Sequence, residues 1–93
     1  MPDLKEKIKS NKFTVGIIGM GYVGLPLALE FALKGIQTIG FDLDESKVRS
    51  INKDKKSYIK HIPGKHIKTA VDNGMLSATK EFSKLKDADA III

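Results

Sequence analysis

Four short apolar runs, separated by segments with helical patterns, occupy the chain from residue 13 onwards. The apolar runs lie at about residues 13–18, 37–42, 75–79 and 89–93, and their length is typical of buried strands. Helical patterns lie at about residues 22–33, 44–52 and 65–73, with a further helical turn at 82–85. Residues 3–11 predict a short amphipathic helix, and the charged residues 53–56 predict a solvated loop.

Three glycines stand between the first predicted strand and the first predicted helix. Gly19, Gly21 and Gly24 are spaced as G-x-G-x-x-G, which is the dinucleotide-binding fingerprint when it joins a strand to a helix. We expect Gly19 to permit the turn, Gly21 to let a pyrophosphate approach the backbone, and Gly24 to let the helix pack closely. The N–H groups at the start of that helix then face the phosphates.

An acidic residue follows the second predicted strand. Asp42 lies about 20 residues beyond the glycines, where the fingerprint places the group that binds the adenosine ribose. Its alternative role is that of a turn residue or the N-cap of the next helix. The order of the elements favours the ribose role, and its negative charge favours NAD over NADP.

Strands that alternate with helices predict an α/β fold. Right-handed crossovers and the dinucleotide-binding fingerprint together imply a Rossmann-type, doubly wound parallel sheet with the strand order 3-2-1-4, and the cofactor then lies over the carboxyl ends of strands one and four. The chain ends at Ile93, inside the fourth predicted strand. We therefore expect residues 1–93 to be the N-terminal part of an NAD-binding domain, truncated after strand four, with the substrate domain absent.

Composition excludes several other classes of protein. The chain has 93 residues, enough for one small domain, and contains no cysteine for disulfides or thiolate metal sites. The net charge of +5 comes from lysines spread along the chain, and aromatic residues make up 6%, so we predict no nucleic-acid partner. No apolar run approaches the roughly 18 residues of a membrane span. We predict a cytoplasmic protein with no membrane partner.

Residues 18–26 read Ile-Gly-Met-Gly-Tyr-Val-Gly-Leu-Pro, a string far more selective than the glycine spacing alone. Here the sequence resembles the UDP-glucose/GDP-mannose dehydrogenase family, the nucleotide-sugar 6-dehydrogenases, and the likeness continues at residues 40–48, 76–79 and 87–93. Residues 57–62, Ser-Tyr-Ile-Lys-His-Ile, are most similar to members that oxidise UDP-N-acetylhexosamines, notably UDP-N-acetylglucosamine 6-dehydrogenase.

The resemblance implies a function and a cofactor site. It implies oxidation of the C6 alcohol of a UDP-sugar to a carboxylate with reduction of two NAD, in polysaccharide biosynthesis, by a homo-oligomer. It implies that the glycine turn holds the pyrophosphate and that Asp42 and Lys47 hold the adenosine ribose. Lys47 follows Asp42 by about one helical turn, within reach of the same hydroxyls; its alternative is a solvated lysine. The predicted cofactor-binding residues are Gly19, Met20, Gly21, Tyr22, Val23, Gly24, Asp42 and Lys47.

The family's catalytic machinery has no counterpart in this sequence. Family members use a cysteine nucleophile, and this chain has none, so no catalytic residue is predicted and the chain alone is expected to be inactive. His61 and His66 lack further ligands, so no metal site is predicted. Two alternatives stay open: a stand-alone nucleotide-binding module without catalysis, and a fragment of another NAD-dependent dehydrogenase of the 3-hydroxyacyl-CoA or 6-phosphogluconate type.

Overall fold

The computed structural model describes residues 13–56, 58 and 62–93. The helix predicted at residues 3–11 lies outside the described residues, as does His61. Among the described residues, no helix has both the length and the apolar composition needed to cross a membrane.

A four-stranded parallel sheet forms the centre of the fold. Its strands are β1 (Thr14–Ile18), β2 (Gln37–Phe41), β3 (Leu76–Thr79) and β4 (Ala90–Ile92). The sheet order is β3-β2-β1-β4, which confirms the predicted order 3-2-1-4. In the register, Val15 lies between Thr38 on β2 and Ala90 on β4. The fold is therefore the Rossmann-type α/β sheet that the sequence predicts.

The first helix, α1, spans Gly24–Leu33 and starts later than the predicted residue 22. Tyr22 and Val23 belong to the turn before it and are 80% and 79% exposed. Pro26 lies in the first turn of α1, where its missing N–H removes no helical hydrogen bond. The helix ends before Gly35, which has a positive φ of 83° that glycine adopts without strain.

The second predicted helix divides into two parts. An α-helical turn, α2 (Glu45–Arg49), begins after the N-cap Asp44, whose side chain accepts a hydrogen bond from the Ser46 N–H at 2.9 Å. A π-helical turn, Ser50–Asp54, follows directly. The prediction of a solvated loop at residues 53–56 is therefore wrong in its first half. Lys55, with a positive φ of 53°, ends the π-helical turn and pairs with Asp72.

The remaining elements lie close to their predicted positions. Helix α3 spans Gly64–Asp72, and a 3₁₀ segment spans Phe82–Asp87 where a helical turn was predicted. Helices α1 and α3 pack together over one face of the sheet. On the other face, the centroids of the Phe41 and Phe82 rings lie 5.7 Å apart. The fully buried side chains include Ile17, Met20, Leu25, Ile51, Ile67 and Leu76.

The outer edge of the sheet at β3 is capped by a side chain. Asn52, on the π-helical turn, donates to the Ala78 carbonyl at 2.6 Å and accepts from the Ala78 N–H at 2.9 Å. Ala78 lies in the middle of β3, and its two backbone groups point away from β2. The carboxamide therefore bonds to both groups as a neighbouring strand would.

Candidate functional site

The candidate site starts from the turn that follows β1. Gly19 has a φ of 90°, and its N–H donates to the Phe41 carbonyl on β2 at 2.8 Å. A side chain at this φ would be strained, so glycine is required for the chain to leave the strand here. The turn is therefore anchored to the carboxyl end of β2 as well as to β1.

The other two glycines of the motif have opposite surroundings. A Cβ added to Gly24 would lie 1.7 Å from the Gly19 carbonyl oxygen, so α1 approaches the turn as closely as backbone atoms allow. A Cβ added to Gly21 would meet no atom within 4 Å. The protein's own packing thus explains Gly24 but not Gly21. A bare backbone facing open space is what a close-approaching pyrophosphate requires, so these residues fit a dinucleotide.

Met20, between the first two glycines, is fully buried. Its side chain packs against Gly40, where an added Cβ would come within 2.4 Å of the Met20 sulfur. Its N–H donates to Asp42 Oδ2 at 2.9 Å, and its carbonyl accepts a hydrogen bond from the Tyr58 hydroxyl. The side chain therefore faces the core, and Met20 contributes to the site through its backbone.

Asp42 links the glycine turn to the start of α2. Its Oδ2 accepts from the Met20 N–H, and its Oδ1 accepts from the Asp44 N–H at 2.9 Å. Lys47 Nζ lies 3.8 Å from Oδ2. The N-cap of α2 is Asp44 and not Asp42, so the alternative capping role of Asp42 is excluded. Lys47 is not a freely solvated lysine either, because its ammonium group faces this carboxylate.

Tyr58 contacts both Met20 and Lys47, although the sequence predicts no role for it in the site. Its ring is half-buried and its centroid lies 5.9 Å from Lys47 Nζ, within the range of a cation–π contact. Burial, together with the negative charges of Asp42 and Asp44, raises the pKa of the Tyr58 hydroxyl well above its usual range. The hydroxyl therefore remains a donor at physiological pH. In the sequence, Tyr58 lies in a stretch without helical or strand periodicity, and this is the one sign that it does not belong to a helix or a strand.

A cavity of about 270 Å³ adjoins the glycine turn. It is lined by the end of β1, the glycine turn and the first residues of α1. Ile92, the last residue of β4, and Ile93 complete the lining. It therefore lies between the carboxyl ends of β1 and β4, where the strand order reverses and open α/β sheets bind ligands. At the start of α1 the Leu25 and Leu27 N–H groups donate to the Gly21 and Val23 carbonyls, and Pro26 has no N–H, so the helix dipole is what adds a partial positive charge there.

Two of the three described lysines that line a second, larger cavity pair with carboxylates. This cavity, of about 760 Å³, lies beside β3 between the π-helical turn and the 3₁₀ segment. Lys80 pairs with Glu45, and Lys84 Nζ lies 3.9 Å from Glu81. No group of three or more potential metal ligands occurs in the part of the chain that the structure describes, and His66 is exposed in the first turn of α3.

Comparison with known proteins identifies the family. Residues 13–93 match the family model of the UDP-glucose/GDP-mannose dehydrogenase family, NAD binding domain. The chain belongs to this family. Its described site therefore lies within an NAD-binding domain, and the cofactor is NAD.

Individual members of the family are similar to this chain in sequence and in structure. The chain is 38% identical over 80 residues to the UDP-N-acetyl-D-mannosamine dehydrogenase of Salmonella typhi, covering 86% of this chain and 18% of that protein. It superimposes with a TM-score of 0.77 and 26% identity on the UDP-D-ManNAc dehydrogenase of Pyrococcus horikoshii, covering 85% and 19% of the two chains. For GDP-mannose dehydrogenase from Pseudomonas aeruginosa, the TM-score is 0.75 and the identity 29%, covering 85% and 19%. The chain thus spans under a fifth of these relatives' lengths.

Proposed function

We propose that the glycine turn and the first turn of α1 hold the pyrophosphate of NAD, and that Asp42 and Lys47 hold its adenosine ribose. The observation that carries this proposal is the hydrogen bond from the Met20 N–H to Asp42 Oδ2 at 2.9 Å. It joins the phosphate half of the fingerprint to the ribose half, which are 22 residues apart in sequence. The open space at Gly21 supports the same assignment.

The proposed roles of the eight predicted residues differ. Gly19 and Gly24 shape the turn, and Gly21 leaves room for the ligand. Tyr22 and Val23 contribute backbone groups, since their side chains point to solvent. Met20, whose side chain is buried and whose N–H donates to Asp42, joins the turn to the ribose-binding carboxylate. Asp42 and Lys47 supply the side-chain contacts to the ribose.

For the whole protein, we propose a nucleotide-sugar 6-dehydrogenase of which residues 1–93 form the N-terminal NAD-binding part. The proposed substrate is a UDP-N-acetylhexosamine, oxidised at C6 to the carboxylate with two NAD. The names of the relatives favour the mannosamine epimer, whereas the similarity at residues 57–62 favours the glucosamine epimer. A homo-oligomeric state and a cytoplasmic location stay predictions.

Calorimetric titration tests the cofactor site. NAD is expected to bind more tightly than NADP, because a 2′-phosphate would face the Asp42 carboxylate. Asp42→Ala is expected to weaken NAD binding by about tenfold or more, since hydrogen bonds to a charged group are lost. The same substitution should weaken NADP binding less, so the ratio of the NAD affinity to the NADP affinity decreases. Asp54→Ala, which removes an exposed carboxylate from the π-helical turn, is the control. Tighter binding of NADP than of NAD by the unmodified chain would contradict the assignment.

NADH formation tests the reaction. The protein that carries these residues is expected to reduce NAD with UDP-N-acetylglucosamine or UDP-N-acetylmannosamine, in preference to UDP-glucose and GDP-mannose. The 93-residue chain is expected to form no NADH with any of them, because it contains no thiol for the family's covalent step. If the protein oxidised UDP-glucose or GDP-mannose but neither UDP-N-acetylhexosamine, the proposed substrate class would be wrong. NADH production by the purified chain alone would refute the requirement for a thiol.

A further inference from the structure

The Met20 peptide groups are held by two side chains that come from outside the glycine turn. Asp42 accepts the Met20 N–H, and the Tyr58 hydroxyl donates to the Met20 carbonyl. This carbonyl is part of the peptide that leads into Gly21. Tyr58 therefore fixes the orientation of the peptide directly before the open glycine.

The ring of Tyr58 contacts the other half of the site. Its centroid lies 5.9 Å from Lys47 Nζ, and the same ammonium group lies 3.8 Å from Asp42 Oδ2. One side chain thus touches both the backbone of the glycine turn and the lysine beside the ribose-binding carboxylate. The hydroxyl serves the first contact and the ring serves the second, so substitution can separate the two.

We propose that Tyr58 is a positioning residue for dinucleotide binding: its hydroxyl orients the glycine turn for the pyrophosphate and its ring places Lys47 for the ribose. The inference rests on the proposed cofactor site. Tyr58 itself does not need to touch the ligand. Losing the hydroxyl leaves the Met20 carbonyl without this donor, and losing the ring leaves Lys47 without its aromatic neighbour.

Two substitutions of Tyr58, each tested with NAD, ADP-ribose and adenosine, separate the contact of the hydroxyl from the contact of the ring. Tyr58→Phe keeps the ring and is expected to weaken NAD and ADP-ribose binding by about three- to tenfold, as the loss of one hydrogen bond predicts, while adenosine binding is unchanged. Tyr58→Leu removes the ring as well and is expected to weaken adenosine binding by about two- to fivefold. Binding is measured by titration calorimetry for NAD and ADP-ribose and by ligand-observed NMR for adenosine.

A matched control removes an equivalent hydrogen bond elsewhere. The Thr69 hydroxyl donates to the Lys65 carbonyl at 2.9 Å within α3. Thr69→Val removes this bond and should leave all three affinities unchanged. If Tyr58 had a merely structural role, Tyr58→Phe would lower the melting temperature and alter all three affinities alike or none of them. A loss confined to the pyrophosphate ligands is the result that supports positioning.

Amide hydrogen exchange gives a measurement that needs no ligand. Tyr58→Phe is expected to speed the exchange of the Met20 and Gly19 N–H groups by about three- to tenfold, and Thr69→Val should not. Unchanged exchange together with unchanged NAD affinity in Tyr58→Phe would overturn the inference and leave the proposed cofactor site standing. If the unmodified chain binds neither NAD nor ADP-ribose, the proposed site is wrong. The exchange rates then still decide whether Tyr58 orients the turn.

Discussion

Replacing Gly24 with alanine is expected to lower the melting temperature by about 12 °C or more, because overpacking costs about 3 kcal/mol at such a contact and each kcal/mol shifts a small domain by about 4–8 °C. The added Cβ would lie 1.7 Å from the Gly19 carbonyl oxygen and 2.8 Å from its carbon. Both are backbone atoms, so no side-chain rotation relieves the contact. Either α1 moves away from the turn or the turn unfolds.

The chain supplies a matched control at the start of another helix. Gly64 is the first residue of α3, as Gly24 is of α1, and a Cβ there would meet no atom within 4 Å. Gly64→Ala is expected to leave the melting temperature unchanged or raise it slightly, because alanine restricts the unfolded chain. Thermal unfolding followed by circular dichroism measures both variants. Equal melting temperatures for Gly24→Ala and Gly64→Ala would show that the close approach at Gly24 carries no stability.

Gly21→Val is expected to have the opposite effect: the fold remains and dinucleotide binding is lost. A Cβ at Gly21 meets no protein atom within 4 Å, so the helix content and melting temperature should stay those of the unmodified chain. The branched side chain would occupy the space proposed for the pyrophosphate. We expect NAD affinity to fall by about a hundredfold or more, which corresponds to about 2.7 kcal/mol.

Gly21→Ala provides a graded comparison, since one methyl group fills less of the same space and should cost less affinity than valine. Calorimetry with NAD, beside circular dichroism of each variant, separates loss of binding from loss of fold. Unchanged NAD affinity in a folded Gly21→Val chain would place the pyrophosphate elsewhere. Together the Gly24 and Gly21 substitutions distinguish a glycine needed for packing from one needed for a ligand.

The sequence predicts the sheet and the glycine turn because each depends on local chemistry. Strand order follows from right-handed crossovers together with the dinucleotide-binding fingerprint, and the spacing of three glycines after a strand is readable without coordinates. The Asp44 cap and the end of α1 before Gly35 are also local, since each depends on one residue type at a helix terminus. These features are therefore visible in single residues and short strings.

Features that depend on distant contacts could not be predicted. Tyr58 reaches Met20 across 38 residues, and Asn52 reaches Ala78 across 26, so no periodicity reports either contact. Residues 53 and 54, the end of the π-helical turn Ser50–Asp54, were assigned to a loop because they are charged, whereas the buried Ile51 anchors this turn to the core. The late start of α1 reflects the turn geometry at Tyr22 and Val23, which helix propensity does not encode.

Asn52 makes the two edges of the sheet unequal. At β3, the outward N–H and C=O of Ala78 already bond to the carboxamide of Asn52. Another strand could pair there only by displacing this side chain and breaking two hydrogen bonds. At the opposite edge, β4 pairs with β1 on one side and presents its other side outward. Extension of the sheet is therefore directional: an added strand, from the same polypeptide or from a second copy, is favoured beside β4 and opposed beside β3.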